Sequence, residues 1–499
     1  MNKDINILLL YPPNQSWPGT MCKPNGSLAY PSLAGALLEL DINVQIFDAC
    51  VGNDKDNIDK TFFLSTEMES GLLRTGVSDD RILEEVVEYD IIGLTSIFTD
   101  QESMVLATSR LIKKAFPDKL IVAGGVNARS RMSRFFNNGV DIVCLSEGEN
   151  AICQIAKIFG NNSRNFSEVP AIAYKNTDNE TIVNKTTPEN IIWDLDLLPI
   201  PAWHLLPNKR YWEIGRPHGG QFTKDENVKY GSMITSLGCK FNCPYCHVGG
   251  ETESSLSGPI GRYRIKSDER VLREIEVMKS LGMTHIFIED DSLFGNKQRG
   301  IRLLNKIKAK NVIIMNVNGI NLAHFFHKTI PDTEVLQALS EAGFKDVALS
   351  FESGNERIIK KYASNKWNIR KYDIIALIKQ CKEYGLTTEG SFMIGYPDET
   401  REEINKTIEY AKNLVAEGLD RASFLLVLPL PGSPIHAMAI SEGYLSPNFD
   451  VDKMHWTKAN MVNTSVPPEE LEEIRLKAWT EINSSDFLEY KRQMTVDVI

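Results

Sequence analysis

The chain has little of what would commit it to a membrane, to nucleic acid or to an oxidising compartment. No stretch approaches the roughly 20 apolar residues that a spanning helix needs, so no membrane insertion is expected. The opening MNKDINILLLYPPN carries a short apolar run, but it ends at a Pro-Pro turn and lacks a small-residue cleavage site, and it reads as a buried strand. No long Lys/Arg tract relieves a formal net charge of -11, so attraction to a nucleic-acid backbone would have to overcome net repulsion. A small-molecule substrate, or a protein one, fits better. Only 8 cysteines occur in 499 residues, and Cys22, Cys50, Cys144, Cys153 and Cys381 are scattered, which excludes a disulfide framework and suits a reducing, cytoplasmic setting. Cys144 and Cys153 lie in or beside apolar segments and read as small buried hydrophobes.

What is present is an ordinary globular balance, 42% hydrophobic and 24% charged, over a length suited to two or three domains. Up to about residue 155, short apolar runs (INILLLY, NVQIFDA, DIIGLTSI, KLIVAGG, DIVCLSEGE) alternate with helical patterns such as SLAGALLEL. That alternation predicts an α/β, Rossmann-like doubly wound domain over 1–155, and runs that are apolar throughout suit strands covered on both faces. Its ligand loops should share one rim at Tyr11–Asn14, Asp48–Gly52, Ser96–Asp100, Gly124–Asn127 and Ser146–Glu149. Residues 156–228 are richer in Asn, Thr and Pro and read as a connector with a docking element, DLDLLPIPAWHLLP. From 229 to 440 six βα units predict a partial (β/α)6, TIM-like barrel, one of whose helices opens on the capping box Thr400-x-x-Glu403. The tail, 441–499, reads as a small helical C-terminal cap.

At the C-terminal ends of barrel strands, where barrel chemistry is housed, lie the cysteine loop, Glu289–Ser292, Asn316–Asn318, Glu352–Gly354 and Ile394–Tyr396. Cys239-Lys-Phe-Asn-Cys243-Pro-Tyr-Cys246 places three thiolates on one loop after a strand. Three ligands for a four-iron cluster leave one iron open to a chelating amino acid, whereas a structural zinc site is normally closed by four ligands. The zinc alternative would have to borrow His247.

The CxxxCxxC spacing, with Tyr245 before the last cysteine, resembles the signature of the radical S-adenosylmethionine superfamily, and the resemblance continues through the six βα units to about Gly432. It implies a [4Fe–4S] cluster on Cys239, Cys243 and Cys246. It also implies that the acidic segment Ile288-Glu289-Asp290-Asp291 lies near the amino group of S-adenosylmethionine, with Glu289 and Asp291 as candidates; three consecutive acids could equally form a solvated loop. Glu352, Ser353 and Gly354 match the segment that makes polar contacts to the methionine or ribose. Ile394, Gly395 and Tyr396, within Phe392–Thr400, resemble the GxIxGxPxET edge that meets the adenine, with Ser391 in place of the first Gly.

The first domain and the LDxLPxPxWxLLP connector extend the resemblance to the cobalamin (B12)-binding class of that superfamily, over nearly the whole chain. The matching features imply that Pro13, Asn14, Ser96, Gly124, Gly125, Glu147 and Gly148 contact cobalamin. Cobalamin domains of methionine-synthase type carry DxHxxG after the second strand. Here the segment is Asp48-Ala-Cys50-Val-Gly52, without the histidine, and no protein ligand to cobalt is expected from it. The resemblance implies methyl transfer to an unactivated carbon or a phosphorus centre, with an electron donor such as flavodoxin or ferredoxin. Cyclisation or rearrangement with non-methylating or absent cobalamin is the second enzymatic reading, and a cobalamin or iron-sulfur sensor the non-enzymatic one. Methylthiolation would call for three further N-terminal cysteines, which are not so arranged.

Overall fold

A computed structural model describes residues 5–24, 26, 28–176, 178–218 and 226–489; the 219–225 stretch of the expected connector and the 490–499 stretch of the expected cap lie outside these. Five parallel strands, Asn6–Tyr11, Asn43–Asp48, Ile91–Thr95, Leu120–Gly124 and Ile142–Cys144, build the first sheet. In space the second strand flanks the first, and the third, fourth and fifth follow on its other side, the order of a doubly wound sheet whose winding reverses between the first and third strands. Successive side chains point to opposite faces. Ile7, Leu9 and Tyr11 therefore enter one core with helices Ala29–Leu38 and Gly148–Gly160, while Leu8 and Leu10 enter another with helix Glu102–Ala115. Both faces are covered, which is why the run is apolar throughout.

The first sheet continues past the expected boundary at 155. That boundary cuts through helix Gly148–Gly160, and the sheet then gains two antiparallel strands, Ile172–Lys175 and Thr181–Asn184, beside Ile142–Cys144. The first of these is buried on the sheet, whereas the second is an exposed edge whose polar residues read as loop. The first unit thus runs to Asn184.

The connector joins two cores at neighbouring residues. Ala202 belongs to the first domain's core and Trp203 to the barrel's, where its indole N–H donates to the Ser232 carbonyl at 2.9 Å. Arg270 of the barrel holds the preceding turn by donating to the carbonyls of Asp196 at 3.1 Å, Leu198, and Pro199 at 2.6 Å.

Six parallel barrel strands follow, Tyr230–Met233, His285–Ile288, Ile313–Asn316, Asp346–Glu352, Thr387–Ile394 and Arg421–Leu426. Hydrogen bonding divides them into a sheet of the first three and a sheet of the last three, the latter joined by the short strand Ile320–Asn321. The capping box forms, with the Thr400 hydroxyl accepting from Glu403 N–H and the Glu403 carboxylate accepting from Thr400 N–H. Helix Pro434–Ser441 crosses the expected boundary at 440, and helix Pro468–Ile482 packs on the last strand. That strand's free rim is occupied: the Asn483 amide both donates to and accepts from Ala422, Arg475 donates to the Phe424 carbonyl, and Leu426 N–H reaches the Trp456 carbonyl. Among the described residues no helix is long and apolar enough to cross a membrane.

Candidate active site

The cysteine loop leaves the short strand Ser236–Leu237 through Gly238, whose φ of +73° and crowding against the Gly261 and Arg262 carbonyls leave no room for a side chain. Cys239 N–H is anchored to the Gly261 carbonyl at 3.0 Å, and Cys246 N–H closes the turn on the Cys243 carbonyl at 3.0 Å. All three thiols face one cavity of about 250 Å³ at the barrel mouth. Burial pushes the Cys239 thiol up and the Cys246 thiol to about 12, so metal binding has to displace their protons. Among the described residues no three His, Cys, Asp or Glu side chains gather as ligands of a single ion.

The acidic segment divides its work. Asp290 is buried and fully engaged, accepting from Thr235 N–H and hydroxyl, each at 2.5 Å, and from the Ser236 hydroxyl at 2.7 Å. Asp291 lines the cavity, accepting only from Gly238 N–H at 3.0 Å; the cavity walls desolvate it and raise its carboxyl, offset in part by His247. Glu289 is not part of that wall, so the two sequence candidates are separated.

Glu352 stands at the end of its strand, after a bulge and at a φ of +63°, a conformation that is costly for a residue with a Cβ. It lines the cavity and binds Lys366 at 2.6 Å, the two side chains 8% and 9% exposed. Lys366 also donates to the Tyr245 hydroxyl at 3.1 Å. Burial works to lower its ammonium, but the Glu352 carboxylate and the neighbouring cysteines outweigh this and hold it above the ordinary value.

Ser353 and Gly354 turn away from the cavity. The Ser353 hydroxyl meets that of Thr407 at 3.0 Å and accepts from Asn355 N–H, and a Cβ on Gly354 would lie 2.9 Å from the Thr407 Cα. The close approach that this glycine allows is to helix Arg401–Ala416. Ile394 and Tyr396 are buried, with Tyr396 stacked on Tyr362 at 4.4 Å. The N–H groups of Gly395 and Tyr396 both donate to Glu399, at 2.8 and 3.2 Å.

Sequence reasoning missed three cavity groups. Lys366 is one. The others are His324 Nε2 and Asn321 Nδ2, which are buried without a hydrogen-bond partner among the described residues. Burial, with Lys297, Lys240 and Lys366 nearby, pushes the His324 imidazole down to about 4 and keeps it neutral. All three belong to the segments that follow the third and fourth barrel strands, and no local pattern marks them.

In the first domain, Pro13, Asn14 and Ser96 line a cleft at the point where the strand order reverses. Ser96 is fixed by Asn127, whose side chain donates to its hydroxyl at 2.9 Å. Gly124, Gly125, Glu147 and Gly148 line a neighbouring apolar cavity of about 320 Å³, bounded also by Trp203 and Arg270. The Glu147 carboxylate is not free for a ligand. It accepts from Arg264 at 2.6 Å and from Ile192 N–H at 2.9 Å, and burial raises its carboxyl although Arg264 opposes this. Cys50 is fully buried among Cys22, Val51 and Phe62, and Asp48 holds Cys50 N–H and the Tyr211 hydroxyl, so the loop offers cobalt no ligand without unpacking.

Two ion pairs tie the first domain's rim to the segment behind the cluster cysteines, Glu147 to Arg264 and Arg129 to Glu251 at 2.5 Å. The rim and the barrel mouth are thereby fixed against each other.

Residues 233–411 match the Radical SAM superfamily and residues 28–156 match the B12 binding domain. The chain is 28% identical over 398 residues to an uncharacterized methyltransferase of Pyrococcus horikoshii, covering 78% of this chain and 77% of that one. Identity is 26% over 420 residues to the cytidylyl-2-hydroxyethylphosphonate methyltransferase of Streptomyces wedmorensis, covering 78% and 74%. In fold it is similar to the methyltransferase TsrM from Kitasatospora setae, solved with cobalamin and a [4Fe–4S] cluster, with a TM-score of 0.63 at 16% identity over 94% of this chain and 85% of that one. A cluster-bearing barrel behind a B12-type sheet defines a radical SAM protein of the B12-binding class, and the chain belongs to it. It is a cobalamin-dependent radical SAM enzyme, whose cofactors are a [4Fe–4S] cluster, S-adenosylmethionine and cobalamin.

Proposed function

We propose that the enzyme is a methyltransferase acting on an unactivated carbon, or a phosphorus centre, of a small-molecule substrate. The observation that carries this reading is the pinning of the B12-type rim directly to the segment behind the cluster cysteines, through Glu147–Arg264 and Arg129–Glu251. The names of the two relatives support it, since both are methyltransferases. When bound, the cofactors supply a methyl group carried on cobalt and a carbon radical from reductive cleavage of S-adenosylmethionine.

The residues fit these groups. Cys239, Cys243 and Cys246 would hold three irons of the cluster and leave the fourth open. Asp291 would meet the ammonium of the methionine moiety and Lys366, already held by Glu352, its carboxylate, and opposite charges at both ends would favour one orientation. The Gly395–Tyr396 turn, braced by Glu399, would supply the strand edge that the adenine is expected to meet. At the rim, Pro13, Asn14 and Ser96 border the cobalamin face, while the apolar cavity beneath Gly124, Gly125 and Gly148 accommodates the aromatic base of its nucleotide tail. The rim, held against the mouth, would exclude water and align the reactants.

The test is anaerobic incubation of reconstituted protein with hydroxocobalamin, S-adenosylmethionine and titanium(III) citrate. Corrin absorbance that survives desalting, formation of methylcobalamin and release of 5'-deoxyadenosine are expected. Cleavage of S-adenosylmethionine with no retained corrin would overturn methyl transfer and leave a radical enzyme of another kind.

A further inference from the structure

Two side-chain donors on the wall of the cluster cavity find no acceptor among the described residues. Asn321 ends the short strand Ile320–Asn321, in register with Ser350 of the fourth barrel strand, and its side-chain oxygen accepts from Ala323 N–H at 2.9 Å. That bond fixes which way the amide faces: the oxygen is spent on the turn, and the NH2 group is left to donate elsewhere. His324 lies in the turn that follows, Leu322–Phe325, which Leu322 and Phe325 anchor with fully buried side chains. Its Nε2 is likewise buried and unpaired, and its ring stands 6.2 Å from that of Phe241, midway between Cys239 and Cys243.

A buried donor without an acceptor is costly, and two on one cavity wall call for an acceptor that arrives with a ligand. The cavity is the one that Cys239, Cys243 and Cys246 line. Two of these sulfurs have backbone donors of their own, Phe241 N–H for Cys239 and Val248 N–H for Cys246, and no cysteine sulfur is within hydrogen-bonding reach of Asn321 Nδ2 or His324 Nε2. What the cluster brings into the cavity is inorganic sulfide. Hydrogen bonds to the sulfurs of a cluster are one of the means by which a protein sets its reduction potential.

We infer that Asn321 and His324 donate hydrogen bonds to the sulfides of the cluster and thereby hold its reduction potential up. One electron passes to the cluster from a one-electron reductant, such as titanium(III) going to titanium(IV), and no proton or group moves. Three thiolates already make the oxidised cluster an anion, so the incoming electron adds to a negative charge that N–H donors stabilise. Both donors sit on a strand end and a turn whose own hydrogen bonds and buried side chains fix them before any cluster is present, which keeps the cost of orienting them low. The inference rests on the cluster alone and stands apart from the methyl-transfer reading.

The test is a redox titration of cluster-loaded protein without S-adenosylmethionine, followed by electron paramagnetic resonance. It is run at about pH 8.5, where an ordinary imidazole is neutral and its loss removes no charge. His324→Leu and Asn321→Ser, the second keeping an oxygen for Ala323 N–H, are expected to lower the midpoint. The ratio of reduced to oxidised cluster at a fixed potential should fall on the order of tenfold in each, which is about 59 mV for one electron. His324→Gln, which keeps an N–H donor, should recover most of the shift. Affinity of the oxidised protein for S-adenosylmethionine, by equilibrium dialysis, should stay within about twofold of wild type in all three. An unchanged midpoint in either His324→Leu or Asn321→Ser would overturn the inference for that residue, and weakened S-adenosylmethionine binding alongside it would assign the donor to the methionine carboxylate instead. A shift as large in His324→Gln as in His324→Leu would mark a loosened cavity rather than a lost donor and overturn it as well. Wild type that takes up no four-iron cluster would overturn the assignment as a radical enzyme, and the inference with it.

Discussion

The most exacting prediction concerns Glu399, 1% exposed behind the Gly395–Tyr396 turn. One carboxylate oxygen accepts two backbone N–H groups, and the other has no hydrogen-bond partner. Burial raises the carboxyl from an ordinary 4.5 to about 8, against the two N–H donors that favour ionisation. Because the folded-state value lies above the unfolded one, the group's contribution to stability is fully present below about pH 4.5 and is lost as the pH rises through about 8. The loss is about 1.4 kcal/mol per pH unit across that window and about 5 kcal/mol in all. Glu399→Gln keeps the acceptor for both N–H groups and has no proton to lose. Urea unfolding of cluster-free protein, compared between wild type and variant from pH 5 to pH 9, should show the wild type losing ground steadily to about pH 8 and then levelling off. The affinity for S-adenosylmethionine should weaken only as the pH rises through about 8, and in wild type only. Parallel stability profiles for the two proteins would refute the reasoning.

Three further outcomes follow from the site. Glu147→Ala leaves Arg264, 5% exposed, without its carboxylate, and should cost about 3–5 kcal/mol in chemical denaturation while loosening cobalamin retention on desalting. At Gly124 a Cβ would meet only the Cys144 Cβ at 3.8 Å, so Gly124→Val should fill the apolar cavity and lower cobalamin affinity with little change in melting temperature. Asp291→Asn should weaken S-adenosylmethionine binding about tenfold or more by equilibrium dialysis, whereas Glu289→Gln, outside the cavity wall, should leave it nearly unchanged.

Much of this architecture was legible because local and global preferences agree. Strands such as Asn6–Tyr11 and Ile142–Cys144 are apolar throughout because helices cover both faces, and Thr400-x-x-Glu403 marks a helix start by itself. Thr181–Asn184 was not legible, because a four-residue edge strand inside a stretch rich in Asn and Thr turns only Ile182 toward the core. The cysteines were readable from spacing alone, whereas Lys366 was not. It reaches the cavity after Ser364 and Asn365, both at positive φ, and only the fold brings it to Glu352. For Ser353 and Gly354 the pattern identified a place of close packing, but not what packs there. The answer, helix Arg401–Ala416, lies some fifty residues further along the chain.

The adjacency of Ala202 and Trp203 has a consequence for cooperativity. With one peptide bond separating a residue of the first core from a residue of the second, neither core can melt without withdrawing a side chain from the other. Heating should therefore give a single transition for both halves where two unlinked domains would give two. The distance between the two cofactor sites is then a property of the folded chain as a whole, and substrate has to be admitted by moving loops, because the halves cannot part.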